Sequence, residues 1–389
     1  MKKRSLGKSG LQVSEIGLGC EYLQDQTFQT IDAVIGSALE QDINFLDVFM
    51  SQPQVRSDIG KALRGKRQQV ILQAHIGSVW LDDQYGRNRD KETCRVFFED
   101  YLQRFGTDYL DIGMLHFSDT PDDLKQLIDH GILDYACELK RKGVIRAVGI
   151  SSHDPLTAKI AVETGKIDVL MFSLNPAFDI LPASIIIDDF FKQETFTQLG
   201  GTGIHPARAS LYQTCEAMGT ALTVMKGYAA GMLLSKSRSP FGFALTPEQC
   251  IHYALTRPAA ASILVGCRSP EEVDAAVRYE RATDEEKDFA PLLKNSESFT
   301  VDGQCMYCNH CLPCPGRIDI AQTIKYFDLF SMIEDDASHM CQTASIREHY
   351  QALSAHASDC IQCGDCESRC PFGVQVIGKM DQAANIFGR

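Results

Sequence analysis

Eight of the fifteen cysteines crowd into two runs near the C-terminus, Cys305-x-x-Cys308-x-x-Cys311-x-x-Cys314-Pro315 and Cys360-x-x-Cys363-x-x-Cys366-x-x-x-Cys370-Pro371. Thiol runs with this spacing and a terminal Cys-Pro suit iron–sulfur cubes, in which three thiolates of a run hold one cube and the fourth reaches the other. Cross-ligation on that pattern assigns Cys305, Cys308, Cys311 and Cys370 to one 4Fe–4S cluster, and Cys360, Cys363, Cys366 and Cys314 to a second. Two residues rather than three precede Cys314, so a single cluster with a degenerate partner stays open. Zinc is the structural alternative, because zinc ribbons also pair CxxC knuckles. The other seven cysteines, at 20, 94, 137, 215, 250, 267 and 341, are scattered and read as small core or surface residues.

A second set of chemistry-bearing residues recurs at the ends of short apolar runs: Asp47, His75, His116, Ser151-Ser152, Asn175, Lys226 and Gly266. Each alone has a structural reading, since a strand-end Asp often caps a helix and a lone His often sits hydrogen-bonded in a core. Together, two imidazoles and a carboxylate can do acid–base work near neutral pH. A metal at the same place is less supported, because neither HxH nor HExxH spacing occurs. The stretch AHIGSVWLDDQYGRNRD adds Trp80, Tyr85, Arg87 and Arg89 beside His75 in one long loop. That loop suits clamping an anionic substrate or cofactor, or its arginines simply pair with Asp82, Asp83 and Asp90.

The elements that must position these groups alternate in type. Strands are expected at Ile16–Gly19, Phe45–Val48, Val70–Gln73, Leu110–Leu115, Ala147–Ile150, Val169–Phe172, Leu222–Met225 and Ser262–Val265. Amphipathic helices are expected at Thr27–Gln41, Asp90–Phe105, Asp122–Lys142, Pro155–Thr164 and Pro247–Thr256, with Asp90 as an N-cap and Gly143 and Gly165 as helix stops. Eightfold strand–helix alternation is the pattern of an α/β (β/α)8 TIM barrel, with a doubly wound open sheet as the competitor. The barrel is expected over 1–282, a linker over 283–304, and a small, mostly helical iron–sulfur domain over 305–389. Helical spacing at Ile318–Ile333 and Ser345–Leu353 fills the gap between the cysteine runs.

Composition narrows the function. A net charge of −13 argues against nucleic-acid partners, which need a basic face. No apolar run is long enough for a membrane helix, and MKKRSLGKSGLQVS lacks the apolar region of a signal peptide. The expectation is a cytoplasmic protein without membrane insertion, whose clustered thiols bind metal rather than pair as disulfides.

The segments KRSLGKSGLQVSEIGLG, INFLDV, DYLDIGMLH, GVIRAVGISSH and ILVGCRSPEEVDAAV resemble the landmarks of the aldo-keto reductases, in that family's order over residues 3–280. The cysteine-rich end resembles that of a bacterial subgroup fused to a ferredoxin-like domain. The resemblance implies hydride exchange between a nicotinamide and a carbonyl, through an Asp, Tyr, Lys, His tetrad. Asp47 and His116 match it, whereas the Tyr falls on Gln52 and the Lys on His75. Glutamine cannot supply the titratable proton a tyrosine gives. Ser151 and Ser152 fall where the family binds the carboxamide, with Met171 in place of a common Gln. Gly266, Cys267, Arg268 and Ser269 keep the form of the adenosine loop, while Glu272 stands where an Arg often meets a 2′-phosphate, so NADPH is not favoured over NADH.

The reading is an iron–sulfur oxidoreductase of the aldo-keto reductase type with an altered tetrad, coupling a barrel site (Asp47, Gln52, His75, His116) to electron transfer through 4Fe–4S clusters. NAD(P) is the candidate cofactor, at Ser151, Ser152, Asn175, Lys226 and the Gly266–Ser269 loop, and a small molecule is the substrate, with a redox protein as a candidate partner. Two alternatives stand beside it: a catalytically silent barrel serving electron transfer or redox sensing, and a non-redox isomerase or lyase with structural clusters.

Overall fold

A computed structural model describes residues 1–183, 185, 189, 190, 192, 195, 196, 201–294, 299, 300, 303, 305–333 and 340–388. All eight expected strands form: β1 (Ile16–Gly19), β2 (Phe45–Val48), β3 (Ile71–Ile76), β4 (Leu110–Leu115), β5 (Ile145–Ser152), β6 (Val169–Ser173), β7 (Ala221–Met225) and β8 (Ala260–Gly266). They close in chain order into one parallel barrel, with β8 pairing β1 from Ile263↔Ile16 to Gly266↔Gly19. The doubly wound alternative is therefore excluded, because no edge strand is left in this sheet.

The strands are apolar on both faces, as a sheet covered inside and out requires. Inside the barrel, Phe45, Ile112, Met114, Ala147 and Val169 pack with Leu6, Leu11 and Val13 of an N-terminal hairpin. That hairpin pairs Lys3–Ser5 with Gln12–Ser14 and plugs the end where the strands begin. Small residues keep the interior from overfilling: a Cβ on Gly149 would lie 2.6 Å from the Met114 Cε.

The outer helices follow their capping residues. Asp90 accepts from the Thr93 amide at the start of Lys91–Phe105, and Thr120 with Asp123 forms a reciprocal capping box on Pro121–Asp129. The single helix expected over Asp122–Lys142 is instead two, Pro121–Asp129 and Ile132–Arg141. Gly131, at φ 71°, starts the second in a left-handed conformation that a continuous helix cannot contain.

Beyond the barrel, Asp284–Lys287 and Ala290–Lys294 are short helices, so part of the expected linker is structured. The C-terminal region is mostly helical: Ile320–Ile333, Met340–Gln351, Asp365–Arg369 and Val376–Phe387. Tyr350 stacks on Phe387 at 4.1 Å, and Phe330 meets the same ring edge-on. This module packs on the barrel's flank, against helices Pro206–Ala217 and Pro247–Leu255. Lys325 pairs with Glu216 at 3.0 Å, and Arg257 donates to the Met306 carbonyl, both at the C-terminal ends of those helices. One apolar layer runs from the outer helices into the module.

Candidate active site and cysteine cavities

The strands' C-terminal ends open into a cavity of about 440 Å³ lined by Asp47, His75, His116, Ser151, Lys226 and Gly266, among others. Five of these are polar groups that the sequence placed at strand ends. Two mouth residues, Phe117 and Lys226, hold left-handed backbone at φ 56° and 58°, a conformation costly for non-glycine residues and frequent at functional sites.

Along one wall the polar groups form a chain. Asp47 Oδ1 lies 3.0 Å from His75 Nε2, and His75 Nδ1 lies 2.8 Å from His116 Nδ1. His116 Nε2 then lies 2.6 Å from the hydroxyl of Tyr85. Gln73 Nε2 donates to the same Asp47 oxygen at 2.7 Å. Asp47, His75 and His116 are buried, while Tyr85 is 42% exposed and forms the outer end. Burial, then the neighbouring His75, holds His116 well below the usual histidine range, so this ring is neutral.

Tyr85 reaches the site on an antiparallel hairpin, Ser78–Leu81 paired with Gln84–Arg87, where a long loop was expected. Asp82 and Asp83 make its turn, both at positive φ, as a two-residue hairpin turn demands. Arg87 lies over the Phe117 ring at 3.2 Å, and Arg89 donates to the Phe117 carbonyl. The hairpin's arginines thus fasten it to the loop after β4, not to Asp82, Asp83 or Asp90.

Other expected residues lie elsewhere. Gln52 precedes helix Pro53–Ala62 and donates to Asp25, outside the mouth cavity. The Asn175 side chain caps helix Pro176–Asp179 and donates to the Lys226 carbonyl, and the Ser152 hydroxyl donates to the Asp154 carbonyl. Cys267 is buried. Arg268 covers the Tyr22 ring at 3.7 Å while its amide donates to Glu272; Ser269 precedes helix Pro270–Val277.

The opposite wall holds groups that strand-end reading missed, Glu21, His153 and Tyr228, which lie one to three residues past the last strand position. Lys226 Nζ is 3.1 Å from His153 Nε2, and Asp119 bonds that ring's other nitrogen at 2.9 Å. Burial lowers Lys226 and His153 and raises Glu21. The buried Tyr228 hydroxyl has no partner among the described residues. A lysine, an unpartnered hydroxyl and a rim of Gly19, Gly227, Gly231 and Gly266, where backbone can be approached closely, fit a planar phosphate-bearing cofactor.

The cysteines gather in two smaller cavities in the module. Cys305, Cys308, Cys311 and Cys370 line one; Cys314, Cys360, Cys363 and Cys366 line the other. Each draws three thiols from one run and the last from the other. The four thiols line each cavity, and among the described residues no group of three or more His, Cys, Asp or Glu side chains is placed to hold a metal ion. Burial, then Cys308, pushes the Cys311 thiol up to about 12, so a cation must displace its proton before the sulfur can ligate. His310 bridges Cys308 Sγ at 3.2 Å and Asp288 at 2.7 Å. The donor set, four soft thiols to each cavity, is of the kind that iron–sulfur cubes use. Among the described residues, none beyond Gly266 lines the mouth cavity.

An eight-stranded parallel barrel with ionisable groups gathered at its C-terminal mouth defines a (β/α)8 enzyme. The model of the aldo/keto reductase family matches residues 15–196. The "Uncharacterized oxidoreductase YqkF" of Bacillus subtilis is 29% identical over 302 residues, 74% of this chain and 94% of that protein. The "NADH-specific methylglyoxal reductase" of Escherichia coli is 28% identical over 191 residues, 44% of this chain and 58% of that protein. Among solved structures, the holo form of the aldo-keto reductase AKR11C1 from Bacillus halodurans superposes with a TM-score of 0.58 at 27% identity, covering 78% of this chain and 99% of that one. Over residues 15–196 the chain is similar to the aldo/keto reductases, and with relatives named as oxidoreductases and reductases it is an oxidoreductase.

Proposed function

We propose that the barrel mouth reduces a small carbonyl compound, or oxidises the matching alcohol, with Tyr85 as proton donor, and that the cysteine module holds two 4Fe–4S clusters. The chain Asp47–His75–His116–Tyr85 carries the first part. A nicotinamide at the mouth supplies or takes the hydride, and the clusters supply single electrons.

The hydrogen bonds support a proton relay along this chain. When His75 carries a proton on each nitrogen, its Nε2–H is held by the Asp47 carboxylate and its Nδ1–H points to His116 Nδ1. His116, neutral, then carries its hydrogen on Nε2 and donates to the Tyr85 oxygen, leaving the Tyr85 O–H directed at the substrate. Once the carbonyl carbon has received hydride, its oxygen takes the Tyr85 proton. Tyr85 takes the His116 Nε2 proton, and His116 takes the His75 Nδ1 proton on its own Nδ1. One proton has moved outward, His75 is neutral, and every bond in the chain points inward. Oxidation of an alcohol runs the same sequence backwards. Two imidazoles thereby replace a lysine beside the tyrosine, and the one that carries the positive charge faces the Asp47 carboxylate at 3.0 Å.

Support for the clusters is the distribution of the eight thiols into two fours, each crossing between the runs. A second reading, in which the module serves a redox partner rather than the mouth, is favoured by its position on the flank. Anaerobic protein titrated with NADH and NADPH, alone and with small aldehydes, tests both. Carbonyl turnover supports the mouth reaction, and bleaching of the brown absorbance by NADH alone supports internal coupling. Turnover without bleaching supports the second reading. Failure of either nucleotide to bind ends the hydride proposal, and iron-free protein that resists reconstitution ends the cluster proposal.

A further inference from the structure

The hairpin over the mouth carries a second polar group that the proton relay does not use. Arg87 lies two residues beyond Tyr85 on the strand Gln84–Arg87, so the two side chains share a face, about 7 Å apart along the strand. Both line the mouth cavity. Arg87 stands opposite Ser78, a buried residue whose hydroxyl donates to the Phe49 carbonyl, at the end of the hairpin nearest the barrel.

The guanidinium is held in place without being neutralised. Its central carbon lies 3.2 Å from the centre of the Phe117 ring, a contact through the face of the group that leaves its N–H edges free. Among the described residues those edges have no hydrogen-bond acceptor and no ion-pair partner. The platform beneath is itself fixed: the Phe117 amide donates to Ser151 Oγ at 2.8 Å, and its carbonyl accepts from Arg89. Two carboxyl groups line the cavity, and neither meets Arg87. Asp47 is engaged by His75 and Gln73, and Glu21 lies on the opposite wall, its carboxyl held above the usual carboxylate range by burial. The cation of that wall, Lys226, is set against His153 Nε2 at 3.1 Å. Arg87 is near enough to the relay that its charge, after burial and His75, helps to keep His116 neutral.

We propose that Arg87 is a carboxylate subsite of the mouth and that the substrate is a small oxo acid, its carbonyl oxygen toward Tyr85 and its carboxylate on the free edge of the Arg87 guanidinium. The reaction rests on the carbonyl chemistry proposed above; the binding does not. A planar guanidinium meets both oxygens of a carboxylate at once, which fixes orientation as well as adding affinity. With a 2-oxo acid, hydride adds to the carbonyl carbon and the Tyr85 proton to its oxygen, giving a 2-hydroxy acid and the oxidised nicotinamide. The carboxylate is unchanged throughout and serves as the handle by which the carbonyl is aimed.

Full-length protein with NADH is given pyruvate and butane-2,3-dione, carbonyls of similar shape that differ in the carboxylate, and binding of the unreactive anion oxamate is read by calorimetry. The ratio of kcat/KM for pyruvate over the diketone is expected to fall about 10- to 100-fold in Arg87→Met, the range for hydrogen bonds to a charged group, and by less in Arg87→Lys, which keeps the charge without the fork. Being a ratio, it cancels any loosening of the hairpin that slows both substrates. Oxamate affinity is expected to fall with it. An unchanged ratio overturns the subsite, as does wild-type protein that reduces the diketone and ignores pyruvate. A loss of NADH affinity equal to the loss for pyruvate places the anion on the cofactor and overturns it too. If neither carbonyl is reduced, the hydride reading falls separately: oxamate binding that weakens in Arg87→Met then upholds the subsite, and oxamate binding that is absent or indifferent to Arg87 overturns it.

Discussion

The hydroxyl of Tyr85 lies 2.6 Å from Nε2 of His116 although the two residues come from different elements, a surface hairpin and the end of β4. Because Tyr85 is 42% exposed, removing its oxygen opens no cavity. Tyr85→Phe is expected to fold normally and to lose about 100- to 10,000-fold in kcat, the range for a positioned general acid, with KM little changed. Steady-state kinetics on a small aldehyde check this. Gln52→Tyr in the same background is expected to restore nothing, because position 52 faces Asp25.

Direction of proton flow gives a second expectation. On the proposed relay, carbonyl reduction consumes the proton on His75 Nδ1, 2.8 Å from His116 Nδ1, whereas alcohol oxidation needs that nitrogen unprotonated. Reduction is therefore expected to slow as pH rises and oxidation to quicken, read as opposite pH profiles of kcat on a small aldehyde and its alcohol. In His75→Gln both profiles are expected to flatten, with a low residual rate. Opposite limbs that persist in His75→Gln contradict the relay.

The crossing of thiols between cavities separates sequence neighbours. Cys314→Ser lies in the first run but lines the second cavity; Cys370→Ser is the converse. Each is expected to cost about four of eight irons per chain, on the two-cube assignment. Electron paramagnetic resonance of the reduced protein should show Cys314→Ser losing the same signal as Cys363→Ser, and Cys370→Ser the same as Cys308→Ser.

Buried histidines set the acid side of stability. His116, His153 and His252 are all held below the ordinary histidine range, each chiefly by burial, with His252 lowered to about 4. Unfolded, these rings take up a proton near pH 6.5 while the native ones do not, so stability is full above that pH and declines as pH falls toward the native values. Each contributes a slope of up to about 1.4 kcal/mol per pH unit in that window. Urea melts at pH 7 and pH 5 are expected to show a lower midpoint at pH 5, with His252→Gln reducing the difference.

Much of this was legible in the chain because strands covered on both faces read as short apolar runs at regular spacing. All eight were located that way, and Asp47, His75, His116 and Lys226 followed as the residues at their ends. The hairpin was not legible: its turn is Asp82-Asp83, without the glycine that usually marks a left-handed pair, so an antiparallel ribbon looked like loop. The β-prone apolar run Val79-Trp80-Leu81 before the turn was the available signal. Glu21 and His153 were missed for a different reason: each sits past the last strand residue, where only the following turn decides whether a side chain swings inward. The break at Gly131 was hidden because apolar spacing continues across it.

The attachment of the module to the far ends of helices Pro206–Ala217 and Pro247–Leu255 leaves the loops above β1 to β5 unencumbered. Those loops can lengthen, shorten or change their chemistry without disturbing the bond from Arg257 to Met306 or the pair between Lys325 and Glu216. A lineage carrying this arrangement can exchange one substrate for another while the module's anchorage is inherited intact.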